Sequence, residues 1–266
     1  MYLEFWGFRA FPFENVPDPR FFYLSKSHEE ALTRLLYAAK MRKGGAMLSG
    51  EIGCGKTTLT KVVVQELPEE KFEIGLVINP KLEPVEFLQE VLYQFHVTDV
   101  PETKVKCLKR LNEKMIDNLK MKKETVLMVD EAQLLTGETL EEIRLLLNFQ
   151  LADRFLVTII LLGQPELQEK IKEIQQLSQR IAIKYHLAPF DYDDSAHYID
   201  FRQKKAGRDE NAFTREAMER IYENTQGVPR KINNLCDLSL LIGFSKNEKR
   251  IEPEIVESIV KDGALL

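Results

Sequence analysis

The run Gly50-Glu51-Ile52-Gly53-Cys54-Gly55-Lys56-Thr57 fits the pattern G-x-x-x-x-G-K-[ST] and constrains this chain more than any other feature. Glycines at this spacing let the backbone wrap a phosphate, provided the loop joins a strand to the start of a helix. Both flanks are present. Ala46 to Leu48 is a short apolar run, and a helix is predicted from near Thr57. The loop, with Thr58 behind it, therefore predicts a nucleotide site. Its N–H groups and the helix N-terminus meet the phosphates, Lys56 reaches the β and γ oxygens, and the Thr57 hydroxyl binds Mg²⁺. A Gly-rich turn without a ligand is the plainer alternative, but a chance match in such a chain is rare, roughly 1%.

The chain has 266 residues, enough for one large unit with a smaller one attached. Hydrophobic residues make up 44% and charged residues 30%, values that exclude disordered and membrane classes. The most apolar stretch, Phe155 to Leu162, falls far short of the ~20 residues a spanning helix needs. Met1 to Gly7 lacks a basic region followed by an apolar run, so a cytoplasmic location without a secretory signal is expected. Cys54, Cys107 and Cys236 form no Cys-x-x-Cys pair, which suits a reducing compartment. His28, His96, His186 and His197 have no metal-ligand spacing, so packing or surface roles are expected of them. The net charge of −5 argues against a dedicated nucleic-acid binder but leaves room for a local basic face.

The first 24 residues mix aromatics with Pro12, Pro17 and Pro19 and predict an extended segment packed on the nucleotide-binding body. Ser25 or Ser27 can cap a helix whose apolar face is Ala31, Leu32, Leu35, Leu36 and Ala39. Apolar runs at Ala46 to Leu48, Ile74 to Ile78, Val126 to Val129, Val157 to Leu162 and Ile181 to Leu187 then alternate with helix-like segments. That alternation predicts an α/β fold, a parallel sheet with helices on both faces, and Val126 to Val129 and Val157 to Leu162 read as central strands. After Pro189 only helices are predicted, at Tyr192 to Ala206, Thr214 to Thr225, Pro229 to Phe244 and Pro253 to Lys261. The expected partition is thus residues 1–189 as an α/β domain and 190–266 as a small helical one.

Further residues complete a candidate hydrolytic site. Thr125 to Val129 is an apolar strand ending in Asp130 and Glu131; Asp130 is placed to hold the metal and Glu131 to polarise an attacking water. Gln164 follows another strand, where its amide can touch the γ-phosphate or the water, although Gly163-Gln164-Pro165 also reads as a simple turn. Arg180 precedes the last strand, where it can act in trans as an arginine finger or form a surface salt bridge. Arg230 stands at a helix start, where a positive charge opposes the helix dipole and favours an anionic partner. Finally, Val105, Leu108, Leu111, Met115 and Leu119 form an apolar stripe on a helix rich in Lys and Arg from Lys104 to Lys123. Its basic side is either a nucleic-acid face or, more commonly, a solvated one.

Taken together, these residues resemble the AAA+ ATPases of the general secretion pathway protein A family. The likeness runs through Phe11-Pro12-Phe13, Pro17-Asp18-Pro19, Tyr23-Leu24-Ser25, His28-Glu29-Glu30-Ala31-Leu32, the glycine loop and Val129-Asp130-Glu131-Ala132-Gln133. It continues through Leu147-Asn148-Phe149, Gly163-Gln164-Pro165-Glu166-Leu167, Gln179-Arg180-Ile181, Val228-Pro229-Arg230, Ile232-Asn233 and Leu235-Cys236-Asp237. The resemblance implies a three-layer AAA+ sheet with a helical lid and hydrolysis of ATP with Mg²⁺. It also implies ATP-dependent self-association with Arg180 acting on a neighbour, Gln164 as a sensor and Arg230 as the lid sensor. Protein partners in a bacterial secretion or cell-envelope machine follow from it. Larger members of that family carry a membrane helix and a peptidoglycan-binding region after the lid, and help a secretin assemble. The sequence ends at Leu266, which makes it a short relative or part of a longer chain. Two other functions fit the same core: an ATP-gated DNA-binding regulator similar to the transposition-helper AAA+ ATPases, and a non-hydrolysing nucleotide switch, which the Asp130-Glu131 pair disfavours.

Overall fold

Five strands, each of six or seven residues, pair into one parallel sheet whose interior strands are buried almost throughout, as strands covered on both faces must be. The computed structural model describes residues 2–263. In chain order it contains α1 (Leu3–Trp6), a 3-10 turn (Pro19–Phe21), α2 (Lys26–Lys40), β1 (Gly45–Gly50), α3 (Lys56–Gln65) and β2 (Phe72–Val77). Next come α4 (Pro84–Gln94), α5 (Lys104–Lys120), β3 (Glu124–Val129), a 3-10 turn (Ala132–Leu134) and α6 (Gly137–Leu146). The sheet is completed by β4 (Val157–Gly163), α7 (Glu166–Glu173), α8 (Gln175–Arg180) and β5 (Ile181–Leu187). Four helices follow: α9 (Tyr192–Lys205), α10 (Arg215–Thr225), α11 (Pro229–Ser245) and α12 (Pro253–Lys261).

These elements form two compact units. One holds Glu29–Gly50 and Leu59–Leu187; the other holds the described residues up to His28, then Glu51–Thr58, then those from Ala188 onward. In the sheet unit the strand order is β2-β3-β4-β1-β5, with every pair parallel. As expected, β3 and β4 are interior, and all seven residues of β4 are buried. Alternate strand residues Met47, Leu127, Val129, Ile159 and Leu161 enter one core with Phe87, Leu88, Leu111, Met115 and Ile143 from α4, α5 and α6. Their neighbours Ala46, Leu48, Val126, Met128, Ile160 and Leu162 are equally buried on the opposite face. Register aligns Ser49 with Gly163 and Val129 with Leu161, so Gly50, Gln164 and Asp130 all emerge at the carboxyl edge of adjacent strands.

Helix α5 turns most of its predicted apolar stripe inward: Leu111 and Met115 are buried, Leu108 and Leu119 pack partly buried against the same core, and Val105 is the exception. Its buried residues are Cys107, Leu111, Met115 and Asn118, whereas Val105 is 76% exposed. Asn118 joins this buried face through a polar contact, donating from Nδ2 to the Thr125 hydroxyl on β3 at 3.0 Å.

In the second unit the helical packing and caps follow the sequence: Asp191 caps α9, Thr214 caps α10, and Pro229 opens α11. Two expectations are corrected. The N-terminal segment is not simply extended, because Leu3–Trp6 is helical. Nor do its aromatics serve the sheet core: Tyr2, Trp6, Phe8 and Phe13 pack with Ile199, Ile221, Leu235, Leu240 and Val256 in the helical core, so this unit reaches beyond 190–266. The physical reason is the indole. Buried Trp6 needs an acceptor for its N–H, and the Leu240 carbonyl on α11 accepts it at 2.9 Å. Buried Arg202 on α9 then holds the arm by donating to the Pro12 and Glu14 carbonyls. Gly227 ties the end of α10 to the segment before α9. Its φ is +73°, and a Cβ there would lie 1.9 Å from the Phe190 carbonyl oxygen.

Trp6→Ala is expected to cost about 3–5 kcal/mol of stability. Amide hydrogen exchange should show α11 and α12 losing protection while β3 and β4 keep theirs; equal loss in all four would place Trp6 in a different cooperative unit.

Candidate functional site

The glycine loop has the geometry its pattern requires. Gly53 and Gly55 take φ of +85° and +93°, which side-chain-bearing residues rarely adopt. A Cβ at Gly53 would lie 2.7 Å from the Arg230 Cβ, and one at Gly55 would lie 3.2 Å from Nε2 of His28. The loop is therefore a cradle that only glycine permits, which is what a nucleotide phosphate requires of it. Lys56 is 6% exposed, and its Nζ donates to the Glu51 carbonyl at 3.0 Å, so the amine curls back over its own loop. Thr57 and Thr58 lie in the first turn of α3. Cys54 is fully buried, and burial pushes its thiol up to about 11, which makes it a packing residue rather than a nucleophile.

Beside the loop, within the same unit, is a cleft. Asn15, Val16, Phe22, Tyr23, His28, Gly55, Thr58, Phe190, Arg230 and Asn233 are among the residues lining it. Arg230 enters it from the first turn of α11, and its backbone N–H donates to the Gly53 carbonyl at 3.2 Å. Tyr23 lines the cleft and donates to Asp194 at 3.0 Å, whereas Phe13 is 2% exposed in the helical core. The cleft has aromatic and amide walls, with a cation and the phosphate cradle at one side. That composition suits a nucleoside and its phosphates.

The sheet unit brings together a second group at the carboxyl edge of β3 and β4. Asp130 is 3% exposed, and its Oδ1 accepts the Glu131 backbone N–H at 2.9 Å. Glu131 adopts φ +51°, a left-handed conformation uncommon for glutamate and often found at functional sites. Its carboxylate is held by two amides: Gln133 donates to Oε2, and Gln164 donates to the same oxygen at 3.4 Å. Gln133 also accepts the Gln164 backbone N–H at 3.0 Å, so it joins the two strand ends. Lys170 on α7 fixes this turn by donating to the carbonyls of Gln133 and Leu135.

Arg180 stands apart from that edge. It precedes β5 at Ile181, the residue registered with Gly45, whereas Leu187 is registered with Gly50. A strand of this length is roughly 20 Å long, so Arg180 lies at the opposite end of the sheet from Gly50. Its Nη1 donates to the Leu147 carbonyl at 2.9 Å.

Sequence reasoning missed four contributors: His28, Gln133 as the link between strand ends, Lys170, and Arg202 behind the N-terminal arm. Gln133 and His28 stand in runs that carry the family resemblance, Gln133 directly after Asp130-Glu131, whereas Lys170 and Arg202 had no signal.

A family model described as an AAA domain matches residues 39–171. The chain belongs to the AAA domain family and is a P-loop ATPase. It is 36% identical to general secretion pathway protein A of Aeromonas hydrophila over 254 residues, 94% of this chain but 46% of that protein. Among solved structures it is similar to Cdc6p from Pyrobaculum aerophilum, with a TM-score of 0.68 at 17% identity, covering 91% of this chain and 70% of that one. It is likewise similar to the Aeropyrum pernix ORC2 protein in ADPNP–ADP complexes, with a TM-score of 0.64 at 18% identity over 88% of this chain and 66% of that one. These two likenesses establish the AAA fold. No helix among the described residues is long and apolar enough to cross a membrane.

Replacing Gln133 with Leu removes one amide from the Glu131 carboxylate and the acceptor of the Gln164 N–H. Steady-state hydrolysis should fall roughly tenfold or more, as expected for bonds to a charged group, with ADP affinity unchanged. An unaltered turnover rate would remove Gln133 from the site.

Proposed function

We propose that this chain binds ATP through the loop Gly50 to Thr57 and hydrolyses it with Glu131 as the residue that orients and polarises the attacking water. The observation that carries the reading is the Glu131 carboxylate held by the amides of Gln133 and Gln164 at the end of β3. A carboxylate so oriented at a strand end is the arrangement a hydrolytic base needs. Lys56 and the loop N–H groups bind the β and γ phosphates, while Thr57 and Asp130 would hold Mg²⁺. The metal supplies charge neutralisation at the phosphate oxygens. Gln164 senses the γ-phosphate side of the reaction through its bond to Glu131. Arg230, at the rim of the cleft, meets the nucleotide as the helical unit's cation. The base lies in the cleft beside Asn15, Phe22, Tyr23 and Asn233.

Arg180 serves a neighbouring copy. Its position at the far end of β5 takes it away from the edge where its own Gly50 lies, which supports a role in trans within an ATP-dependent oligomer. The cycle of binding, association and hydrolysis assists assembly of a secretion or cell-envelope machine made of proteins. This purpose rests on the likeness to the Aeromonas protein, of which the chain spans about half. A cytoplasmic location suits an ATP-driven step.

The DNA-dependent alternative draws less support. On α5 and beside it, Lys104, Lys109, Arg110, Lys114, Lys120 and Lys123 pair with Glu142, Glu113, Asp99, Glu73, Asp117 and Glu73 respectively. A basic face partly neutralised within the chain offers less for counterion release.

Glu131→Gln should retain ATP binding and lower turnover by ~10²-fold or more. Arg180→Ala should bind ATP and lose turnover, and mixing it with Lys56→Ala protein should restore part of the activity, because each variant supplies the half-site the other lacks. Normal turnover of the Glu131 variant would sink the catalytic assignment, and a mixture without recovery would sink the trans role. Sedimentation and ATPase rate, with and without duplex DNA across a salt series, separate the two purposes. DNA stimulation that falls steeply with salt would overturn the protein-assembly reading.

A further inference from the structure

His28 lies 26 residues before Cys54 in sequence, yet its imidazole reaches the phosphate loop. Nε2 is 3.0 Å from the Cys54 carbonyl oxygen, and Nδ1 is 2.8 Å from the Ser25 hydroxyl. The ring is 2% exposed, with the Phe22 and Phe190 rings at centroid distances of 5.5 and 5.3 Å. Ser25 is itself fixed, since its hydroxyl accepts the His28 backbone N–H at 3.3 Å as the first turn of α2 begins. A carbonyl oxygen only accepts, so the nitrogen facing Cys54 must carry a hydrogen, and in the neutral ring Nδ1 then accepts from Ser25. Burial lowers the pKa of this imidazole, which keeps it in that neutral form.

The Cys54–Gly55 peptide is planar and trans, so its C=O and N–H point in opposite directions. A bond that fixes the Cys54 carbonyl toward His28 therefore fixes the Gly55 N–H away from it, toward the inside of the loop. Gly55 has φ +93° and no side chain to hold that plane, so by itself the peptide is free to rotate. From this geometry we infer that His28 is a positioning residue of the nucleotide site: through Nε2–H it sets the peptide plane whose N–H donates to the nucleotide's phosphates. The inference rests on the nucleotide reading above. Because the same ring lines the cleft assigned to the base, it also joins the two ends of the bound nucleotide.

The test uses Mg-ADP binding to the full chain, with circular dichroism as a check on folding. His28→Leu, which cannot donate, should raise the dissociation constant by about tenfold, the loss expected for one well-placed hydrogen bond. His28→Gln, whose amide nitrogen can take the place of Nε2, should remain within about threefold of the parent. In the parent chain, nitrogen-15 NMR should find His28 as the Nε2–H tautomer. Undiminished binding by His28→Leu, failure of Gln to rescue, or an Nδ1–H tautomer would each overturn the inference, and the tautomer measurement stands even if the leucine variant fails to fold. A parent chain that does not bind Mg-ADP would overturn the nucleotide reading itself, a result separable from the other three.

Discussion

The phosphate loop depends on one constraint: its backbone passes so close to other atoms that side chains are excluded. At Gly53 the excluded space belongs to Arg230, and at Gly55 to His28. At Gly53 that wall is the Arg230 methylenes with the Val228 methyl, and at Gly55 it is the His28 ring nitrogen. A substitution at either glycine would strain the backbone and displace one of these partners at the same time.

The fold was legible because its signals are local. Runs such as Val126 to Val129 and Val157 to Leu162 are apolar throughout, and only covered parallel strands read that way. Thr214 and Pro229 announce helix starts within three residues of themselves. What stayed hidden depends on partners distant in sequence. The burial of the polar Asn118 on α5 turns on its finding Thr125, a pairing no periodicity contains. Trp6 joins the helical core because its indole N–H finds the Leu240 carbonyl, 234 residues away on α11. A proline-rich aromatic segment looks extended when such acceptors are unknown.

The site shows the same division. Lys56, Thr57, Asp130 and Glu131 are readable because each belongs to a short run whose strand or helix context the sequence also supplies. Gln164 was readable as a strand-end amide, but its bond to Glu131 and its link to Gln133 exist only in three dimensions. His28 belongs to a run that carries the family resemblance, but no sequence signal assigned it a role at the loop. A buried histidine without metal-ligand spacing is ordinarily a packing residue, and only the 3.0 Å approach to Cys54 distinguishes this one.

The arginine at the far end of β5 has a further physical consequence for the proposed cycle. Arg180 is not idle, since its Nη1 donates to the Leu147 carbonyl, and a swing toward a neighbour that breaks this bond has a cost. A bond from an ionised donor to a neutral carbonyl contributes about 1.5–3 kcal/mol. A bond to a phosphate oxygen, where both partners are charged, is stronger and can be bidentate. The exchange is therefore favourable only when the neighbouring subunit presents an anion, and unfavourable when it presents an empty loop. Within the proposed function, nucleotide occupancy of one copy decides whether the arginine of the next leaves its resting carbonyl, and association follows the nucleotide without any separate regulatory element.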